Sequence, residues 1–118
     1  MDNNVNAPLN DAQYSQLEKF VRALSQRDSE TLQTHFHLSD VVTAEVYERV
    51  AFYFDHATII SVPPRINCAL QGPSIAVYDC GDGDLAVDCD LLENGSPCDA
   101  YVHVLFEKDV LVYEYMKS

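Results

Sequence analysis

The hydrophobic pattern changes its period near the middle of the chain, and this change limits the folds that the sequence can adopt. Up to Phe54, apolar residues recur at spacings of three and four, the period of an amphipathic helix. From Ile75 onward, β-rich runs alternate with turn residues, as in antiparallel strands. Pro63-Pro64 lies between the two halves and ends any regular element before it. We therefore expect an α+β fold, with N-terminal helices packed on one face of a C-terminal antiparallel β-meander.

Residues with short polar side chains indicate where each of three helices begins. Asn10 can cap the first helix, Asp28 or Ser29 the second, and Ser39 or Thr43 the third. The sequence leaves open whether residues 57–62 form a strand or the end of the third helix. It also leaves open whether residues 57–72 form a strand or a long connection.

Turn residues divide the second half into four predicted strands. Asn94-Gly95 is the strongest hairpin signal, because both residues tolerate the positive φ of a type I′ turn. Lys108-Asp109 and the run from Gly81 to Asp84 predict two further turns. The predicted strands are Ile75–Cys80, Leu85–Leu92, Ala100–Glu107 and Val110–Met116.

Tight turns at these positions imply a register between the strands, and alternation then assigns each residue to one face of the sheet. One face is apolar and should meet the helices. The expected pairs on this face are Val87–Val102, Leu85–Val104, Cys89–Ala100, Phe106–Leu111, Val104–Tyr113 and Val102–Tyr115. The opposite face would carry Asp79, Ala86, Asp88, Asp90, Asp99, Tyr101, His103, Leu105, Val112 and Glu114, with Asp90 directly opposite Asp99.

Length and composition are those of one domain spanning residues 1–118. We find no apolar stretch long enough to predict a transmembrane helix. The polar N-terminus does not resemble a secretion signal, so we expect a cytoplasmic protein. The four cysteines are spaced by 12, 9 and 9 residues rather than in close pairs, which favours reduced thiols over a zinc site.

The charge distribution is the strongest functional signal. The formal net charge is −12, from 19 acidic and 7 basic residues, which excludes nucleic acid and anionic membranes as direct partners. No Lys or Arg occurs in the 42 residues between Arg65 and Lys108, an interval that also contains eight acids. Solubility requires net charge but not this segregation by sign. We expect a surface that binds a basic protein through Asp79, Asp82, Asp84, Asp88, Asp90, Asp99, Tyr101 and His103.

Other chemistry is less well supported by the residues. A calcium-binding loop starting at Asp82 would need an oxygen ligand and a glycine where Ala86 and Val87 stand. His103 would face Glu114 in the expected register, and a histidine–carboxylate pair can serve acid–base catalysis. A surface histidine linked to an acid is the simpler interpretation. We therefore predict no metal site, no cofactor and no catalytic residues.

The chain resembles, at the level of class, the small acidic immunity proteins that bacteria make against toxins of contact-dependent growth inhibition. The resemblance lies in its length, its charge, and the acidic block from Asp79 through Asp84 to Asp99. It implies a cognate toxin domain, often a nuclease, whose basic active site the acidic inhibitor occludes.

The order of helices followed by a sheet also resembles the cystatin-like, NTF2-type cone fold, which includes both enzymes and binding proteins. That resemblance implies a second hypothesis, a small-molecule-binding domain or enzyme with a pocket between helices and sheet. Tyr78, Tyr113 and Tyr115 would line this pocket.

Overall fold

The structure is a computed structural model that describes residues 9–64 and 74–118. Within these ranges three helices precede an antiparallel sheet, so the predicted α+β class is confirmed. The helices are α1 (Asp11–Gln26), α2 (Ser29–Thr34) and α3 (Asp40–Tyr53). The strands are β1 (Ile60–Ser61), β2 (Ile75–Gly81), β3 (Asp84–Glu93), β4 (Ser96–Glu107) and β5 (Val110–Lys117).

Each helix begins at one of the predicted capping residues. The Asn10 side chain accepts a hydrogen bond from the Gln13 N–H, and the Gln13 side chain accepts one from the Asn10 N–H. These bonds satisfy two donors that the helix itself leaves unpaired. Asp28 caps α2 by accepting from the Thr31 hydroxyl and N–H, and these bonds lower the pKa of Asp28. Ser39 caps α3.

The segment that the sequence left undecided contains a strand of two residues. After α3, the backbone becomes extended at Phe54, and Ile60–Ser61 then pairs with Leu92 and Glu93 of β3. The Ser25 hydroxyl of α1 accepts a hydrogen bond from the Ile60 N–H. These contacts join β1 to β3 within the sheet and to α1. Residues 65–73, which include the rest of the undecided segment, lie outside the described residues.

The sheet is antiparallel, and its strands are ordered β1–β3–β4–β5, with β2 also paired to β3. The predicted turns are confirmed by positive φ at Asn94 (50°) and Gly95 (82°), and at Lys108 (52°) and Asp109 (71°). Such angles suit the type I′ turn, whose twist matches that of the flanking strands. A third turn of this kind, at Asp82-Gly83, joins β2 to β3.

The expected register of β3 on β4 is wrong beyond the first pairs. Next to the Asn94-Gly95 turn, Glu93 lies opposite Ser96 and Leu92 opposite Pro97, as a two-residue loop requires. β4 then contains two extra residues, so that Asp90 lies opposite Tyr101 and not opposite Asp99. Because two residues are added, alternation is restored and each side chain keeps its predicted face. The shifted pairs are Leu85–Phe106, Val87–Val104 and Cys89–Val102.

The register of β5 on β4 is correct for its first half only. Phe106 lies opposite Leu111 and Val104 opposite Tyr113, as expected. A bulge between Tyr113 and Tyr115 then adds one residue to β5. A single extra residue reverses the faces. His103 therefore lies opposite Tyr115, and Met116 takes the core position that the sequence had assigned to Tyr115.

The core lies between the helices and one face of the sheet. α1 contributes side chains that are almost fully buried, and β3 and β4 contribute alternate residues with no exposed surface. This agrees with the apolar face expected from alternation. The main core residues are Leu17, Phe20, Val21, Leu24, Val46, Val50, Val87, Cys89, Leu91, Val102, Val104, Phe106, Leu111 and Met116.

Candidate functional site

The face of the sheet turned away from the helices is the candidate site, and we call it the open face. Its residues alternate with the buried residues of each strand, and all are exposed or half-exposed. The registers and the alternation of β3 assign to it Ala76, Tyr78, Asp84, Ala86, Asp88, Asp90, Tyr101, His103, Leu105, Val112, Tyr115 and Lys117.

Three carboxylates form a row along β3 on this face. Asp84, Asp88 and Asp90 alternate with the buried Val87 and Cys89, so their side chains project to the same side. The row spans about 20 Å at the rise of a β-strand. Asp99 is exposed and precedes the buried Ala100, so it projects to the open side. It lies in β4, two residues before Tyr101, which pairs with Asp90.

Two of the predicted acidic residues do not belong to the row. Asp79 lies opposite Leu85, so alternation puts it on the helix-facing side of the sheet. It remains exposed, and its carboxylate accepts a hydrogen bond from the Gly81 N–H. Asp82 lies in the turn between β2 and β3 with a φ of 56°. The expectation that Asp79 shares a face with Asp88 is wrong, since β2 leaves the turn with an irregular register between Asp79 and Gly81.

Asp88 and His103 form the central polar contact of the open face. They lie directly opposite each other on β3 and β4, and His103 Nδ1 is 2.6 Å from Asp88 Oδ1. The His103 side chain is 17% exposed and that of Asp88 is 38% exposed. Pairs with this much solvent access contribute about 0–1 kcal/mol to stability. Both residues were expected on this face, but the expected pairing of His103 with Glu114 is wrong, because Glu114 lies at the bulge.

Aromatic side chains border this pair. The Tyr115 ring stacks on the His103 ring, with centroids 4.8 Å apart and an interplanar angle of 6°. Tyr101 meets the edge of Tyr115 at 6.4 Å, and the Lys117 ammonium lies 4.9 Å from the Tyr115 centroid. Partial desolvation, the Tyr101 phenol, and the charges of Asp88 and Glu114 raise the pKa of Tyr115. Its hydroxyl therefore stays a neutral hydrogen-bond donor well into the alkaline range.

The acids of the row keep part of their hydrogen-bonding capacity for a ligand. Asp90 Oδ2 accepts a hydrogen bond from the Ser74 N–H at 3.0 Å, and Asp84 Oδ1 accepts one from the Lys108 N–H at 3.2 Å. Asp88 uses Oδ1 for His103. A carboxylate has two oxygens and about four acceptor sites. Each acid can therefore still accept hydrogen bonds from a Lys or Arg side chain.

The chemistry of this arrangement fits recognition better than catalysis. An Asp–His pair can hold an imidazole in one tautomer for proton transfer. Catalysis also needs a place for substrate beside the base, and His103 lines neither of two surface pockets found among the described residues. Within residues 9–64 and 74–118 there is no group of three or more His, Cys, Asp or Glu side chains arranged to hold a metal ion.

The tyrosines expected to line an internal pocket lie on opposite faces of the sheet. Tyr78 is exposed on the open face, opposite Ala86. Tyr115 is also on the open face. Tyr113 alone faces the helices, where its ring stacks on Phe20 with centroids 5.6 Å apart. This contact and the buried side chains around it pack α1 against β5.

A surface groove does lie at the edge of the sheet, between α3 and β5. Its volume is about 480 Å³. No sequence pattern predicts this groove, because the pattern of α3 does not show which strand the helix packs beside. The groove is lined by Glu45, Glu48, Arg49, Phe52, Tyr113, Glu114, Tyr115, Met116 and Lys117.

Comparison with known proteins identifies no relative. No protein-family model matches the sequence, and neither a curated protein nor a solved structure matches the chain. In the described part of the chain, no helix is both long enough and apolar enough to cross a membrane. We therefore infer the function from the geometry of the open face.

Proposed function

We propose that this protein is a binding module that docks a positively charged protein on the open face of its sheet. The observation that carries the proposal is the row of Asp84, Asp88 and Asp90, which lies on one face and is bordered by Tyr101 and Tyr115. Complementary charge speeds encounter and fixes orientation. Tyrosine supplies contact area together with a hydroxyl that can hydrogen-bond to the partner.

The size of the open face indicates how far the contact extends. Four strands at about 4.8 Å spacing and a row of about 20 Å give a footprint of roughly 400 Å². A stable interface buries about 800 Å² on each partner. The contact must therefore extend past the open face to the rim, where Asp82 and Asp99 lie. These two acids are included in the proposed interface for that reason, whereas Asp79 is not.

In its specific form, the proposal is that the protein is an immunity protein for a toxin with a basic active site. A nuclease must bind substrate phosphates with cationic side chains. An acidic face of this kind would occupy those side chains and exclude the substrate. The net charge of −12 adds long-range attraction between the two proteins.

The alternative, a small-molecule-binding domain or enzyme of the cone-fold type, has less support. It requires an enclosed cavity between helices and sheet, which ligands of this kind usually occupy. Of the three tyrosines expected to line it, only Tyr113 faces the helices, and its ring is packed on Phe20. We therefore favour protein binding.

The test uses the protein encoded by the neighbouring reading frame, if it is a basic toxin domain, purified as an inactive variant. We expect a one-to-one complex whose association rate falls as NaCl is raised, because salt screens the attraction. The double variant Asp88→Asn/Asp90→Asn should associate several-fold more slowly and show a weaker dependence on salt.

The matched control is Glu30→Gln/Asp55→Asn, which removes the same charge from exposed positions on α2 and after α3. It should lose far less of the association rate. Equal losses in both double variants would show that net charge, and not the open face, governs binding. A partner that binds both double variants as well as it binds the unmodified protein would also contradict the proposal.

A further inference from the structure

The last strand of the sheet has an edge that is only partly covered. β5 is the terminal strand in the order β1–β3–β4–β5. Successive residues of an antiparallel edge strand point their N–H and C=O groups alternately toward the neighbouring strand and away from it. The Leu111 N–H points away from β4, because it donates to Gln16 Oε1 of α1 at 3.3 Å. α1 therefore covers the beginning of this edge.

The edge is open from the next outward-pointing residue. By alternation, Tyr113 also directs its N–H and C=O away from β4. Among the described residues, no hydrogen bond joins these two groups to another element. An unpaired donor and acceptor on a sheet edge form a template for a further strand.

A groove lies beside this edge, in the position that an added strand would occupy. α3 forms its opposite wall, and the space between α3 and β5 is about 480 Å³. Several peptide-binding domains place an extended peptide along an edge strand, so that main-chain hydrogen bonds give affinity and pockets give specificity. On α3, Phe52 is 78% exposed and offers an apolar contact to such a peptide.

The charges of the groove select the kind of peptide. Glu45, Glu48 and Glu114 line it, against Arg49 and Lys117. The three carboxylates outnumber the two cations, so the lining of the groove carries a net negative charge. We infer that the groove between α3 and β5 binds an extended, basic segment of the partner by strand addition to the Tyr113–Lys117 edge. The inference rests on the proposed function for the charge of the partner.

A second copy of the chain is a less suitable occupant. Pairing two β5 edges would bring together two molecules that each carry a net charge of −12. It would also place Glu114 of each copy on the shared edge, and like charges placed opposite each other destabilise a sheet. A basic segment meets neither penalty.

The inference is tested with a synthetic peptide, Lys-Val-Arg-Val-Lys-Val, titrated into the full-length protein and followed by amide chemical shifts. We expect saturable binding with the largest shifts at residues 113–117 and on α3. Two control peptides probe the mechanism. Methylating alternate backbone nitrogens removes main-chain donors, and replacing the cations by Glu reverses the charge. Both changes should abolish binding.

Single substitutions identify the binding site. Phe52→Ala and Glu48→Gln should each raise the Kd about two- to fivefold, whereas Val41→Ala, which changes a residue of α3 that is 71% exposed and does not line the groove, should leave it unchanged. The open-face variant Asp88→Asn/Asp90→Asn should also bind the peptide normally, which separates this inference from the proposed function.

Four results would overturn the inference. The first is shifts confined to the open-face residues of β3 and β4. The second is equal binding of the methylated peptide, and the third is no binding of the basic peptide at all. Concentration-dependent dimerisation with the same shifts at residues 113–117 would assign the edge to a second copy and would also overturn it.

Discussion

Tyr113 shows how the core changes the chemistry of a single side chain. Burial raises its pKa to about 12; the Arg49 charge partly opposes this effect, and Glu45 and Tyr53 add to it. Because the folded protein favours the neutral phenol, this group stabilises the fold fully below pH 10. The contribution is then lost as pH rises from 10 toward 12, since the unfolded chain ionises first.

The variant Tyr113→Phe should therefore be less sensitive to alkali. A shift of two units corresponds to about 2.7 kcal/mol, and the partial exposure of the ring reduces this to about 1–2 kcal/mol. Between pH 9.5 and pH 11.5, the free energy of unfolding of the variant should fall by about 1–2 kcal/mol less than that of the unmodified protein. Urea denaturation measures this difference.

A matched variant tests whether this effect is specific. Tyr78→Phe removes one phenol from an exposed position and should retain the alkaline loss of the unmodified protein. Burial, with the Asp90 charge, also raises the pKa of Cys89, but that thiol is present in all three proteins. If the free energy of unfolding of Tyr113→Phe and of Tyr78→Phe fell equally over this alkaline range, the burial of Tyr113 would not be the cause of the alkaline loss.

At the scale of elements, the bulge in β5 decides which aromatic residue faces a partner. It turns Tyr115 to the open face, where it is 37% exposed, and Met116 into the core, where it is 1% exposed. Removing a buried Met side chain costs about 2–5 kcal/mol. We expect Met116→Ala to reduce the free energy of unfolding by that amount and Tyr115→Ala by less than half of it, measured by denaturant unfolding.

The register expected from the sequence makes the opposite prediction. Without the bulge, Tyr115 would lie opposite Val102 in the core, and truncating it would be the more damaging change. A larger loss of unfolding free energy for Tyr115→Ala than for Met116→Ala would therefore contradict the bulge. It would also contradict the aromatic part of the proposed interface.

This bulge also shows why the sequence predicts the elements better than their contacts. Local signals identified the caps at Asn10, Asp28 and Ser39 and the turns at Asn94-Gly95 and Lys108-Asp109, because each needs only neighbouring residues. A bulge depends instead on which side chain packs better against the helices. No motif in β4 or β5 marks the inserted residues.

The same distinction applies to the candidate site. Alternation alone assigned Asp88, Asp90, Tyr101 and His103 to the open face, and adding two residues to β4 left that assignment intact. The single extra residue in β5 brought Tyr115 to this face, where the sequence had not expected it. The groove between α3 and β5 depends on helix packing, which the amphipathic pattern of α3 does not specify.

For the whole molecule, unbalanced charge is the main electrostatic property. The chain has nineteen acidic and seven basic residues. The one contact between an acidic side chain and a basic one in residues 9–64 and 74–118 joins Asp88 to His103, which is charged only when protonated. Self-repulsion of this kind favours the expanded, unfolded chain. A bound cationic protein would relieve it, so binding and folding should stabilise each other.

Salt should therefore stabilise the free protein. NaCl shortens the range of repulsion, with a Debye length of about 10 Å at 0.1 M and about 3 Å at 1 M. We expect the melting temperature to rise between about 0.02 M and 0.5 M NaCl, with a gain of about 1 kcal/mol corresponding to about 4 °C. Differential scanning calorimetry at pH 7 measures this shift. The double variant Glu30→Gln/Asp55→Asn, with two fewer charges, should gain less. A melting temperature that stays constant or falls with salt would mean that attraction within the fold exceeds the repulsion, and that its acidic groups are already neutralised without a partner.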